Sequence, residues 1–270
     1  MNTVSELIKK RRSVRTFDGQ PISTEHRNML QEHIENVINP FGVAVDMRLL
    51  DAKKNNLSSP VIVGEELYLA AKVKRTEDCE IAFGYAFEEA CLYALSLGIG
   101  TVMLAASLSR KNFEQAMQVT ADEVLPCASP VGYPASKMSI RESLMRKGLK
   151  ADRRIPFESL YFLDSFETKL TEGEAGVFSD ALNMMRLAPS AGNKQPWRVV
   201  VDGKTVHFYE YHSMPENRFG DVQKVDIGIG LCHFDLTMKE NGTIGSFVKL
   251  QSPTPADDKL EYIISYEVKH

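Results

Sequence analysis

Leu187-Ala188-Pro189-Ser190-Ala191-Gly192-Asn193-Lys194-Gln195-Pro196-Trp197-Arg198 joins an apolar helical run, Phe178 to Leu187, to a β-branched run, Val199-Val200-Val201. Pro189 and Pro196 each fix φ and remove a backbone donor. Between them, Ser190, Ala191, Gly192 and Asn193 are small enough for the backbone to approach something flat or charged. Such a loop is expected to present free N–H groups and short hydrogen-bonding side chains at a fixed place. The pattern equally fits a plain helix-to-strand connection with Trp197, the only tryptophan, plugged into the core.

The elements on either side are those of a mixed helix and strand chain. Downstream, Arg198 to Asp202, the turn Asp202-Gly203 and Lys204 to Tyr211 carry a strong hairpin signal. A long helix is expected over Asp226 to Asn241, then strands at Ser246 to Gln251 and Lys259 to Val268. Upstream, Thr3 and Glu6 have capping-box spacing before a short helix. Ser23 is a plausible cap for a second helix, and Val43 to Leu50 reads as a strand. Pro60 to Gly64 and Leu67 to Val73 read as two more. Phe83 to Leu97 has an apolar stripe wide enough for a buried helix. Thr101 to Leu104 is expected as a central strand, Asn112 to Met117 as a helix and Pro130 to Pro134 as the end of a strand. A basic connector, Lys137 to Arg154, follows.

The second half repeats the first in outline. At an offset of 144 residues Gly84 meets Gly228, Leu92 meets Leu236 and Gly98 meets Gly242. The expected architecture is α+β, with two half-repeats, 1–150 and 151–270, inside one compact unit.

Composition bounds the function. The 270 residues are 43% hydrophobic and 25% charged, an ordinary globular balance. A net charge of −4 gives no general pull toward nucleic acid or membrane. No apolar run reaches the roughly 18 residues of a membrane span. Charges occupy the place of a signal-peptide core in Met1 to Arg12, so a cytoplasmic location is expected. Cys79, Cys91, Cys127 and Cys232 form no C-x-x-C pair and no zinc spacing, so reduced, buried thiols are the simple reading. His207, His212 and His233 lack metal spacing, and no metal is expected.

Three stretches carry chemistry. Arg11-Arg12-Ser13-Val14-Arg15 brings guanidinium groups and a hydroxyl together, the donors that suit phosphate oxygens. A solvated basic patch is the competing reading. Arg153-Arg154-Ile155-Pro156 adds a second basic stretch, which also fits a charged linker. Gly98-Ile99-Gly100-Thr101 leads through Leu104 to Ala105-Ala106-Ser107, and Val131-Gly132-Tyr133-Pro134 closes another strand. Gly228-Ile229-Gly230 lacks the third glycine of a dinucleotide fingerprint and reads as close helix packing. No G-x-S-x-G elbow supplies a hydrolase nucleophile.

These motifs together resemble the FMN-dependent nitroreductase family. The segment at 188–197 is similar to that family's A-P-S-x-x-N-x-Q-P-W, and 11–17 to its R-x-S-x-R-x-F. The resemblance implies a nitroreductase-like α+β fold with bound FMN. Arg11, Arg12, Ser13, Arg15 and Arg154 would lie at the phosphate and ribityl chain. Ala105 and Ala106 would lie near the ring, with Pro189, Ser190, Ala191 and Asn193 on the approaching loop. It also implies electrons from NADH or NADPH, an electron-poor small molecule as acceptor, and no dedicated catalytic side chain. Family members are dimers whose P-S-x-x-N loop reaches the flavin of the partner. Here the phosphate residues stand in the first half and the loop in the second, while Asn39-Pro40-Phe41-Gly42 occupies the loop's place in the first half. The chain therefore looks like a dimer folded into one polypeptide, a monomer or loose homo-oligomer expected to bind one FMN. A flavin-binding or degenerate, non-catalytic pseudo-dimer is the alternative.

Overall fold

The computed structural model describes residues 2–250 and 257–269. Two long helices, α3 (Cys79–Ser96) and α7 (Val222–Glu240), lie against each other at its centre. Both are buried on nearly every side. An apolar circumference of this kind suits a helix enclosed by protein rather than one facing water.

The crossing is set by two glycines. A Cβ on Gly84 would stand 2.1 Å from the Val225 carbonyl oxygen, and a Cβ on Gly228 would stand 2.1 Å from that of Ile81. Residues 81 and 84 are related to 225 and 228 by the same 144-residue offset, so the contact is reciprocal about a pseudo-twofold axis. The sequence alignment of Gly84 with Gly228 thus marks where the backbones touch.

Each half supplies one sheet, and the two sheets match. The first contains β1 (Val45–Asp51), β2 (Leu67–Lys74), β5 (Ala128–Gly132) and β3 (Gly100–Thr101), in that order. A two-residue strand, β4 (Glu123–Val124), pairs with the far end of β2. The second contains β7 (Trp197–Asp202), β8 (Thr205–Tyr211), β10 (Leu260–Val268) and β9 (Gly245–Val248), again in that order. In both, the long helix follows the second strand of the path. The pairings are antiparallel except that of β6 (Tyr161–Leu163), which adds to β7 in parallel and has no counterpart in the first sheet. The fold is therefore α+β and nitroreductase-like, with two half-repeats arranged as an intramolecular pseudo-dimer.

The peripheral helices follow their signals. α1 (Val4–Lys10) carries the full Thr3/Glu6 capping box, and Ser23 caps α2 (Thr24–Asn36). α4 (Arg110–Ala116) and α6 (Ser179–Arg186) lie where helices are expected. Asp202 and Thr205 pair across the Asp202-Gly203 turn, so the hairpin register follows the turn. Trp197 is fully buried, the plugged arrangement.

Four expectations change. Pro60 to Gly64 is not a strand of the sheet. Val63 instead clamps the N-terminal segment, donating to the Arg15 carbonyl at 3.0 Å and accepting from the Phe17 N–H at 2.9 Å. Thr101 to Leu104 is not a central strand, because the ladder with β5 covers Gly100 and Thr101 at the sheet edge and resumes only as an isolated bridge between Leu104 and Ala128. Val102 then donates to the Ser129 hydroxyl rather than continuing the ladder. The basic connector is not irregular throughout, since α5 (Ile140–Gly148) forms within it behind a Ser139 cap. The expected strand at 246–251 ends at Val248 as β9, and Gln251 lies outside the described residues.

Gly228→Ala should lower stability by about 1–3 kcal/mol or more, because the new methyl meets backbone that yields only if the helices separate. Gly173→Ala, with nothing within 4 Å of its added Cβ, is the control. Equal urea midpoints for the two variants would show that the crossing is not tight.

Candidate functional site

The site begins with the placement of residues 11–15. Ser13 bridges Thr101 of β3 in parallel, and the Val14 N–H donates to the Thr101 carbonyl at 2.9 Å. Gly100 makes this approach possible, since a Cβ there would stand 2.8 Å from Val14 Cγ2. With Val63 on the other side, the segment is held between two stretches of backbone.

Carboxylates then aim the arginines. Arg11 Nε lies 2.8 Å from Glu88 Oε1, and His233 Nε2 lies 2.9 Å from the same oxygen. Glu88 and His233 are fully buried on α3 and α7, so the Glu88–His233 contact crosses between the halves. Burial opposes ionisation of Glu88, but Arg11 and His233 outweigh it and hold the carboxyl below its usual range. Glu142 of α5, also buried, accepts from the Arg12 guanidinium, the Arg15 N–H and the Thr16 hydroxyl. Arg15 is 9% exposed, and among the described residues nothing hydrogen-bonds its buried Nε. Burial lowers the Arg15 pKa; Glu142 offsets this, while Arg146 and Arg11 add to the lowering by repulsion. Arg154 is lowered likewise by burial and by Arg11, Arg186 and Arg146. Cationic side chains are thus crowded at this end, a field that favours an anion.

Beyond Ser13 and Arg15 opens a cavity of about 640 Å³ between the two halves. That is within the roughly 300–1,000 Å³ typical of small-molecule sites. One wall is Val102 to Ser107, and the opposite wall is Val225, Asp226 and Ile229 of α7 with Pro189 to Gly192. The loop between β8 and α7 closes a side through Met214, Asn217 and Phe219. Arg110 braces the rim: its guanidinium donates to the carbonyls of Ala105, Leu125 and Pro126 and lies 4.0 Å from the Phe219 ring centroid.

The loop at 187–198 differs from its expected form. Its N–H groups are largely engaged. Ala191 donates to both Asp226 oxygens at 3.0 Å, Asn193 to the Ser190 carbonyl and Gln195 to the Ser190 hydroxyl. Gly192, Asn193 and Gln195 have φ of 57°, 56° and 50°, a left-handed run that closes the turn. Burial raises the Asp226 pKa well above normal, reinforced by Asp221 and Glu210 and opposed by the Ala191 N–H.

Of the sequence-derived residues, Arg11, Ser13, Arg15, Ala105, Ala106, Pro189, Ser190 and Ala191 line this one cavity. Arg12, Asn193 and Arg154 do not. Arg12 turns to Glu142, Asn193 donates to the Lys150 and Arg153 carbonyls, and Arg154 donates to those of Ala151 and Leu187. Sequence reading missed Glu88, Glu142, Arg110 and Asp226. Nothing local marks them, because each acts through a partner distant in the chain.

A family model described as "Putative TM nitroreductase" matches residues 3–238. The chain belongs to that nitroreductase family. A search of the curated proteins finds no match. A solved structure of a "putative nitroreductase" from Thermotoga maritima is 22% identical with a TM-score of 0.64, covering 99% of this chain and 93% of its own. A nitroreductase with bound FMN from Bacteroides fragilis is 15% identical with a TM-score of 0.42, covering 52% of this chain and 92% of its own.

In this nitroreductase-family chain the two pseudo-equivalent places differ. Tyr85 corresponds to Ile229 by the 144-residue offset, but it does not face open space. Phe41, from the loop before β1, packs edge-on against Tyr85 with centroids 6.1 Å apart and lies 5.8 Å from Phe247. Aromatic side chains fill this counterpart.

Glu88→Gln should cost about 3–5 kcal/mol, because it leaves the Arg11 charge without its buried partner. A loss under about 1 kcal/mol in urea titration would mean that Arg11 finds solvent or another carboxylate.

Proposed function

We propose that the protein is an FMN-dependent oxidoreductase that uses NADH or NADPH to reduce an electron-poor small molecule such as a nitroaromatic or a quinone. One observation carries the reading: a single cavity between the halves combines a cationic, hydroxyl-bearing end with apolar walls and the Pro189–Gly192 loop. Ser13, Arg11 and the incompletely bonded Arg15 are the donor set for a phosphate. Val102 to Ala106 and Ile229 provide flat apolar walls suited to a ring system. The donor set and the walls both fit FMN.

In the proposed mechanism the side chains position rather than react. Arg15 and Ser13 hold the phosphate, while Glu88 and Glu142 keep the segment from moving. Arg110 fixes the Ala105 carbonyl and so the wall at Ala105 and Ala106. Asp226 accepts the Ala191 N–H and so ties the loop to α7. Phe219 and Met214 exclude water from the open side. Bound FMN would supply the hydride acceptance and electron delivery that no side chain here offers. A cytoplasmic location is part of the same reading, supported by four buried free thiols. No helix among the described residues is long and apolar enough to cross a membrane.

The purified protein should be yellow or turn yellow with FMN and should oxidise NAD(P)H when a nitroaromatic or quinone is present. A protein that ignores FMN would instead be the degenerate module. The filled counterpart at Phe41 and Tyr85 leads us to expect one FMN per chain, measured as flavin released on denaturation against protein concentration. A ratio near two would refute the asymmetric arrangement, and a ratio near one-half would indicate a site shared between chains.

Arg15→Ala should weaken FMN binding about 10- to 100-fold, since one charge-assisted contact of ~1.5–3 kcal/mol is lost. Unchanged affinity by fluorescence titration would remove Arg15 from the phosphate site.

A further inference from the structure

Behind the loop that closes the cavity, three potential ligands converge. Glu210 and His212 project from the same side of the chain at the end of β8, two residues apart. Asp221 caps α7. One ligand atom from each lies within 4.8 Å of the others.

The arrangement lacks a cation. Glu210 is fully buried, and among the described residues neither of its oxygens accepts a hydrogen bond. His212 Nδ1 lies 3.0 Å from Glu210 Oε1, but off the direction that a ring N–H bond requires. Asp221 uses Oδ1 to accept from the Gln223 and Lys224 N–H groups, which leaves its second oxygen for the cluster. Around these groups stand Glu261, Lys224 and Asp226. Lys224 is paired with Glu261 at 3.0 Å. Among the described residues no lysine or arginine forms a salt bridge with the buried carboxylates Glu210 and Asp221.

One pair already has the spacing of ligands around an ion. Two donors bound cis at ~2.1 Å to one metal are ~3.0 Å apart, the separation of Nδ1 and Oε1 here. Nε2 of His212 lies 3.0 Å from Glu261 Oε2, near enough for that carboxylate to steer the ring once an ion holds Nδ1. A carboxylate on the second ring nitrogen orients a ligating histidine and leaves Nδ1 free to bind. One imidazole and two carboxylates suit a first-row dication such as Zn²⁺ or Mn²⁺.

We propose that Glu210, His212 and Asp221 form a binding site for one first-row divalent metal ion, with Glu261 orienting His212. The ion ties the end of β8 to the start of α7. It thereby fixes the intervening loop, whose Met214, Asn217 and Phe219 line the cavity. This site is independent of the flavin reading, since none of its three ligands lines the cavity. The spacing of His212 in the sequence carries no metal pattern because Asp221 arrives from a different element.

The test uses the full chain, stripped of metal and dialysed against Zn²⁺ with metal content measured by mass spectrometry. One ion per chain is expected at micromolar Zn²⁺, with a rise in thermal midpoint. His212→Ala, a half-exposed position, should fold as the parent does by circular dichroism, lose at least about tenfold in affinity and lose the thermal shift. Glu261→Gln should lose about 10–100-fold, as for other groups that orient a ligand. Mn²⁺ in the parent should show nitrogen coupling by EPR, absent in His212→Ala. Failure of the parent to bind at micromolar Zn²⁺, or equal binding by parent and His212→Ala, would overturn the site and leave Glu210 and Asp221 sharing a proton only.

Discussion

The crossing of α3 and α7 brings their backbones into contact at Gly84 and Gly228, and the site depends on it. Two helices can meet carbonyl to Cα only where neither carries a Cβ. That contact sets the separation of the halves for everything farther along the helices. One turn beyond Gly84, Glu88 reaches both His233 on the opposite helix and Arg11. Near the start of α7, Val225 and Ile229 face the segment at 102–107 across the cavity. A wider crossing would part the Glu88 network and open the cavity together.

The repeat produces two related places, and chemistry makes them unequal. Buried guanidinium groups are costly unless an anion or carboxylate answers them. Arg11 and Arg12 are answered by Glu88 and Glu142, while Arg15 keeps donor capacity facing the cavity. Buried aromatic rings carry no such demand. Phe41, Tyr85 and Phe247 close the other place by ring packing, with the Tyr85 hydroxyl donating to Asp235. The repeated fold in this way has one open interface and a counterpart filled by aromatic rings.

Carboxylates organise much of the functional region. Glu88 and Glu142 each join elements more than 70 residues apart in the chain. Asp226 holds the 187–198 loop to α7 through the Ala191 N–H. Glu210 and Asp221 sit where that helix begins. Glu88, Glu142 and Asp226 thus frame the cavity with buried acids whose partners come from other elements.

The sequence by itself determined the two half-repeats, the hairpin at 197–211, the caps at Thr3 and Ser23 and the residue types of the cavity wall. Those signals are local: a turn dipeptide, a capping hydroxyl, a helical stripe or a short motif acts over a few residues. It also placed Gly84 opposite Gly228 without showing that their helices touch. The tertiary structure alone decided that Val63 clamps residues 15–17, that β3 stops at Thr101 on a sheet edge, and that α5 forms to deliver Glu142. It turned Arg12, Asn193 and Arg154 away from the cavity and brought Arg110 and Asp226 to it. It also gathered Glu210, His212 and Asp221. Each of these outcomes rests on a hydrogen bond, charge or close approach between residues far apart in the chain, and such pairings exist only once the halves have packed.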